Sequence, residues 1–356
     1  LEVFNIKSEL LVGSLTKKQK EKVLEKVKNG EIDILIGTHA LIEDKVEFNN
    51  LGIVITDEQH RFGVRQRGKL SSKGDSPDIL VMTATPIPRT LALILYGDLD
   101  ISIIDELPPG RQPVETIAVE HKRRNEAYEN LVRDEVEKAR QVYVVCPLVD
   151  ESEKIEATAA VELVDELKRE FFSDLRVGLL HGKMKPSEKD AIMDDFKNKK
   201  LDILVSTTVI EVGVNVPNAT LMIIENAERF GLAQLHQLRG RVGRGKHKSY
   251  CILIYNSKTE VCRERMSIME ETTDGFKISQ KDLEIRGPGE FFGTRQHGLP
   301  ELKVANIFKH IKILKSAQLE ARYIIGNDPK LQLIENNGLK EEILYKFSER
   351  REISLN

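Results

Sequence analysis

Short runs of β-branched residues recur along this chain, each separated from the next by a stretch with helical periodicity. That alternation is the pattern of βαβ units, which build a parallel sheet covered on both faces. In the N-terminal third the expected strands are 32–36, 52–56 and 79–83, with a charged amphipathic helix over 17–28 that stops at Gly30. The run Leu107-Pro-Pro-Gly-Arg-Gln-Pro113 reads as a turn-rich linker. A second set of strands follows at 114–119, 142–147, 176–181, 203–206, 221–225 and 250–255, with helices over 126–140, 157–172 and 187–198. The fold class is therefore α/β, in two lobes, of which the first has too few strands to be complete. Beyond Asn256 the pattern turns helical and irregular, with a Gly-rich stretch over 286–298. The tail, 306–347, reads as two helices broken between Gly326 and Pro329. These shifts divide the chain at 1–108, 109–256, 257–298 and 299–356.

Composition removes several classes. A chain of 356 residues, 40% hydrophobic and 31% charged, is neither disordered nor fibrous. No stretch approaches the roughly 18 apolar residues that span a membrane, and residues 1–10 carry two acids and lack a signal-peptide layout. Cys146, Cys251 and Cys262 show no metal-ligand spacing and read as small buried hydrophobes in a reducing cytoplasm. The net charge of −3 hides an asymmetry. Between Arg229 and Thr259 there is no Asp or Glu, while Arg229, Arg239, Arg241, Arg244, Lys246, Lys248 and Lys258 lie there. Arginines at short spacing beside glycines suit phosphate binding. The chain begins with Leu in what looks like a running domain, and the expectation is a fragment or a processed product.

The residues with chemical potential follow strands. Asp57-Glu58-Gln59-His60 succeeds the run 52–56, and the carboxyl ends of parallel strands are where α/β sheets place ligands. Asp57 can hold Mg²⁺ bridging nucleotide phosphates, and Glu58 can orient and deprotonate a water. Thr83-Ala84-Thr85 also follows a strand, and its hydroxyls can hydrogen-bond the acid cluster. Within the string QLHQLRGRVGR, Arg241 and Arg244 lie three apart on a helical turn that breaks at Gly243. From there guanidiniums can reach a γ-phosphate across a cleft, and Gly240 and Gly243 would let backbone approach a ligand. In STTVIEVGVNVP, Thr207 and Thr208 offer hydroxyls and amides to a nucleic-acid phosphate, and Gly213 suggests a close backbone approach. Thr38 and His39 hold the corresponding place in the first lobe, and His181 in the second.

Together these strings resemble the motifs of superfamily 2 helicases. DEQH resembles motif II, TAT motif III, STTVIEVGVNVP motif V, QLHQLRGRVGR motif VI and IGTHALI motif Ib. DEQHRFGVRQR and MTATPIPRTLAL are more specific and resemble the bacterial RecG and Mfd families of double-stranded DNA translocases. The stretch TDGFKISQKDLEIRGPGEFFGTRQHG resembles their translocation motif, and RGPGE followed by GTRQ favours the RecG family. The resemblance implies two RecA-like lobes followed by a helical hairpin, a Gly-rich loop and C-terminal helices. It also implies an ATP- and Mg²⁺-dependent helicase that remodels stalled forks and branch-migrates Holliday junctions. Its implied coupling residues are Gln59, His60, Thr83, Thr85 and Gly213 at the nucleotide, and Arg265, Arg286 and Gln296 between hairpin and loop. The implied partner is branched double-stranded DNA, with single-strand DNA-binding protein a further candidate. A cytoplasmic, nucleoid-associated monomer is expected.

One departure matters. No Gly-x-x-x-x-Gly-Lys-Ser/Thr loop precedes Asp57. Residues 63–70 fit all but the last position, yet they follow the acid motif and place Leu70 where a Mg²⁺-binding hydroxyl belongs. The phosphate cradle and the family's wedge domain would lie upstream of Leu1, so this chain alone is expected to be inactive. Two other readings stay open: an Mfd-like translocase of transcription-coupled repair, and a non-catalytic DNA-binding module.

Overall fold

A computed structural model describes residues 2–57, 73–86, 100–108, 110–147, 153–207, 216–292 and 310–347. The chain separates into two compact units, residues 1–87 with 104–285, and residues 88–103 with 286–356.

In the first unit the N-terminal elements are strand β1 (Ser8–Leu11), helix α1 (Lys17–Lys28), and strands β2 (Ile34–Gly37), β3 (Ile53–Thr56) and β4 (Asp78–Val81). Helix α1 begins where its sequence directs. Thr16 accepts from the Gln19 amide while the Gln19 side chain accepts from the Thr16 amide, a reciprocal cap. It ends at Asn29, followed by Gly30 at φ +72°. Its apolar stripe, Val23 and Val27, packs on Leu11 and Val46. Strands β1 and β2 pair in parallel, as do β3 and β4.

Residues 114–255 form a six-stranded sheet in the order β5-β10-β9-β6-β8-β7. The strands are β5 (Val114–Glu120), β6 (Gln141–Val145), β7 (Val177–Leu180), β8 (Ile203–Ser206), β9 (Ala219–Ile224) and β10 (Ser249–Tyr255), and every pairing is parallel. Strict alternation sends Val142, Val144, Leu221, Ile223, Ile252 and Ile254 to one face. Tyr143, Val145, Met222, Ile224 and Leu253 go to the other. The first face is covered by helix α2 (124–137) and helix α3 (Glu153–Glu170), through Tyr128, Val132, Leu163, Leu167 and Phe172. Helix α2 is a continuous run over 124–137 whose middle, Ala127–Val132, is π-helical. The second face is covered by α4 (Pro186–Lys197), α5 (Leu232–Arg239), α6 (Glu260–Glu271) and the start of α7 (Gly275–Phe292).

In the second unit, α8 (Ile311–Asn327) and α9 (Asn337–Phe347) flank a turn that Asp328 organises. Its carboxylate accepts from the amides of Gln332 and Leu333, at 2.8 and 2.9 Å, and from the Asn336 side chain. Among the described residues no helix is long and apolar enough to cross a membrane.

Three expectations need correction. Strand β1 was not anticipated. The Gly-rich stretch begins as helix, because α7 carries through Arg286-Gly-Pro-Gly-Glu290 to Phe292. Helix α5 stops at Arg239 with Gly240 as its cap, so Arg241 and Arg244 lie beyond the helix rather than on its last turn.

Candidate functional site

Because all strands run the same way, their carboxyl ends share one edge in each sheet, and the chemistry-bearing residues gather there. In the first lobe Asp57 directly follows β3. The register Thr56↔Val81, with the Met82 amide donating to the Thr56 carbonyl at 2.8 Å, brings the segment after β4 alongside it. Asp57 and Thr83 are both exposed. The Thr85 amide donates to Thr83 Oγ1 at 3.2 Å, which folds the Thr83-Ala84-Thr85 turn on itself. Thr38 follows β2 in the same way and starts the short 3₁₀ turn His39–Ile42.

In the second lobe His181 and Thr207 follow the neighbouring strands β7 and β8, and the Thr207 amide donates to the Leu180 carbonyl at 3.2 Å. Thr207 is wholly buried. Among the described residues neither Thr207 Oγ1 nor His181 Nδ1 finds a hydrogen-bond partner. Burial, then Lys183 and Lys189, holds the His181 pKa below its ordinary value, which keeps the imidazole neutral. Buried polar atoms without protein partners are what an incoming acceptor or donor would satisfy.

The arginine turn is built by α5 and what it packs on. The Arg241 amide donates to Leu238 O at 2.9 Å, continuing the helix backbone for one residue. Gly243 then takes φ +73°, and a Cβ there would sit 2.7 Å from Val114 Cγ2. Gly243 is therefore required by its positive φ and by the approach of β5. At Gly240 an added Cβ would be 3.2 Å from the Gln237 carbonyl, again a protein contact. Arg244 Nε donates to Gly240 O at 3.2 Å. Burial pushes the Tyr143 phenol up to about 12, and the charges of Arg244 and Arg241 act against that rise.

Gln237 connects the two edges. Its Nε2 donates to Thr85 Oγ1 at 2.8 Å, so helix α5 touches the turn that neighbours Asp57. Beside it, a Cβ on Gly275 would lie 2.6 Å from Pro86 Cγ and 2.7 Å from His236 Nε2, so only glycine fits between them. Arg239, one residue before the helix cap, is 3% exposed and engaged through both terminal nitrogens. It donates to Thr116 Oγ1 at 3.0 Å and to the Met269 and Thr272 carbonyls at 2.8 and 3.0 Å. Its Nη2 meets His236 Nδ1 at 3.1 Å. Since a guanidinium can only donate, Nδ1 accepts and the imidazole proton sits on Nε2.

Arg265 on α6 reaches back to the turn before α5, donating to the carbonyls of Glu228 at 3.3 Å and of Phe230. Arg286 lies on α7. Of the remaining expected site residues, Glu58, Gln59, His60, Thr208, Gly213 and Gln296, with the 63–70 loop, fall outside the described residues, as do the side chains of His39 and Arg286. Gln237, His236 and Gly275 were not singled out from sequence, and Arg239, read there as one cation of a phosphate-binding run, instead grips protein oxygens. Arg239 had one signal, its place beside Leu235 and Leu238 on the buried side of a helix, where an arginine must find partners.

Comparisons with known proteins bear on this arrangement. The family described as helicase conserved C-terminal domain matches residues 123–246, and the DEAD/DEAH box helicase family matches residues 1–94. Residues 272–349 match the family of ATP-dependent DNA helicase RecG, domain 3, C-terminal. ATP-dependent DNA helicase RecG of Streptococcus pneumoniae is 54% identical over 345 residues, covering 96% of this chain and 51% of that protein. The Bacillus subtilis protein of the same name is 50% identical, covering 96% and 50%. The chain thus spans about half the length of the curated relatives it matches. A solved structure of RecG bound to a three-way DNA junction superposes with TM-score 0.66 at 50% identity, over 88% of this chain and 41% of that one. The Mycobacterium smegmatis helicase Lhr, solved with single-stranded DNA and AMP-PNP, superposes with TM-score 0.54 at 18% identity over 75% of this chain and 37% of its own, a likeness of fold alone.

Proposed function

Over the portion it shares with them this chain belongs to the RecG family, and from that premise we propose that it is the motor portion of an ATP-driven DNA translocase acting on branched double-stranded DNA. The observation that carries this reading is the 2.8 Å hydrogen bond from Gln237 to Thr85. It joins the edge bearing Asp57 to the helix that leads into Arg241 and Arg244, which supports a shared site for acid and arginines. The match of residues 272–349 to RecG domain 3 favours this over an Mfd-like role, and the paired acid and arginine edges favour it over a non-catalytic module.

In this reading Asp57 takes a Mg²⁺ that travels with the nucleotide. The residues fit: an exposed carboxylate at a strand end suits an ion held by one carboxylate and the phosphates. Among the described residues no cluster of three ligating side chains would hold a metal by itself. The ion would neutralise charge on the phosphates. Glu58 is the base that accepts the proton of the attacking water, and Arg241 and Arg244 stabilise charge on the transferring phosphoryl group. Gln59, His60, Thr83, Thr85 and Gly213 relay the nucleotide state. Thr38, His39, His181, Thr207 and Thr208 hold backbone phosphates, positioning contacts without sequence information. Arg265, Arg286 and Gln296 couple lobe closure to movement along the duplex. Fork reversal and branch migration by a monomer associated with the nucleoid, with single-strand DNA-binding protein as partner, complete the proposal.

The test is DNA-stimulated ATP turnover in the full-length protein. Glu58→Gln should keep nucleotide binding and abolish turnover, and Arg244→Ala should lower turnover by a factor on the order of 10³. Near-normal turnover in the arginine variant would defeat its assignment.

A further inference from the structure

Residue Arg111 belongs to the turn-rich linker between the lobes, which nothing in the functional reading uses. The linker is nevertheless bound to the arginine turn. The Arg111 amide closes a turn on the Pro108 carbonyl at 3.1 Å, and Gly110 within that turn takes φ +83°. From there the side chain extends so that Nη2 donates to Gly240 O at 3.0 Å. This is the same oxygen that receives Arg244 Nε at 3.2 Å. Gln112 O and Val114 Cγ2 then press on Gly243, at 3.5 and 2.7 Å from where its Cβ would be. The backbone of residues 240–243 is therefore clamped from one side by the linker.

Two guanidiniums on one carbonyl oxygen repel each other. Neither Arg111 nor Arg244 forms an ion pair with a carboxylate among the described residues. Both are half-buried. Burial, and then Arg244, draws the Arg111 pKa below its ordinary value. A carbonyl dipole offsets only part of such a repulsion. An anion with several oxygens, seated against the open donors of both forks, offsets the rest, and phosphate geometry matches the guanidinium fork.

We propose that Arg111 is a positioning residue of the nucleotide site: it fixes the Gly240 carbonyl and the turn carrying Arg241 and Arg244, and completes a cationic group selective for a polyphosphate. This rests on the proposed ATP site and adds the linker to it. The linker then reports to the nucleotide directly, since the group that joins the lobes also sets the arginines' place.

The experiment compares wild-type full-length protein with Arg111→Gln and Arg111→Lys. Three quantities are measured: kcat and KM for ATP with forked DNA, the melting temperature without anion, and the rise in melting temperature produced by inorganic tripolyphosphate. Arg111→Gln should lower kcat by about 10²-fold, the cost of a small misplacement of catalytic groups, and raise KM for ATP, with the anion-free melting temperature nearly unchanged. It should also lose most of the tripolyphosphate stabilisation. Arg111→Lys, which keeps the charge and a donor for Gly240 O, should recover most of both. A parallel fall of kcat and anion-free melting temperature would show a merely structural role and overturn the proposal. So would a tripolyphosphate response unaltered in Arg111→Gln. If the wild-type protein hydrolyses no ATP, the functional reading fails, while the tripolyphosphate comparison still decides the role of Arg111.

Discussion

Ile254 and Ile55 have the same side chain on parallel strands, yet Ile254 is fully buried and Ile55 is 58% exposed. Their lobes differ in the same sense throughout. Strands β6, β8 and β9 are buried at every position. In β3 and β4 the side chains of Ile53, Ile79 and Leu80 stand about half exposed. A parallel sheet is stable when both faces are covered, and six strands with helices on each side meet that condition. Among the described residues the pairs of four-residue strands do not. Apolar runs thus announce a strand without announcing what will cover it, and the second lobe holds most of the buried apolar surface that stabilises this chain.

The sharpest test of that asymmetry is the buried ion pair under the six-stranded sheet. Arg124 donates to Glu225 Oε1 and Glu166 Oε1, each at 2.6 Å, and Tyr128 donates to the same Glu225 oxygen at 2.6 Å. Arg124→Ala should cost about 3–5 kcal/mol, because it strands a carboxylate that is 5% exposed. Urea denaturation that found under about 1 kcal/mol would mean water reaches Glu225 after all.

Next comes a matched pair of truncations. Leu204→Ala, at a fully buried site, should cost about 2–5 kcal/mol. Ile55→Ala in the first lobe should cost about 0.5 kcal/mol or less. Equal losses would erase the comparison between the lobes.

A smaller effect sits where the lobes meet. Burial, and then Arg239, brings the His236 pKa down from 6.5 to about 4. Unfolding therefore takes up a proton between those values, so stability is level above pH 6.5 and falls as pH drops through the window. The loss is at most about 3.5 kcal/mol, at roughly 1.4 kcal/mol per unit. His236→Gln should flatten the difference between stability at pH 7 and pH 4. Superimposable pH profiles for variant and wild type would show that other groups set the acid limb.

Local signals were legible and distant ones were not. Helix α1 and strand β8 lie where the pattern put them, because capping and an apolar run are encoded within a few residues. Strand β1 escaped, since Ser8–Leu11 has no apolar run and becomes a strand by pairing with β2, as Ser8 with Ile34 and Leu11 with Gly37. Glycine and proline signalled a loop at 286–290, but α7 continues through them, a tertiary override of propensity. At the site, strand-end acids and hydroxyls could be read from sequence because parallel sheets put ligands there. The grip of Arg239 on Thr116, Met269 and Thr272, and of Arg111 on Gly240, could not, since those partners meet only after folding.

The pairing of β5 with β10 sets a timetable for the ribosome. Among the described residues strand β5 stands at the sheet edge, and its one strand partner is β10, Val114 opposite Ser249 and Glu120 opposite Tyr255. During synthesis β5 emerges first of the six and waits, unpaired, until the last of them has been made. Such long-range closure is slow and leaves an adhesive strand exposed meanwhile. Ribosomes stalled before Tyr255 would therefore carry a nascent chain prone to pair with its neighbours, and chaperones would meet this lobe during translation rather than after release.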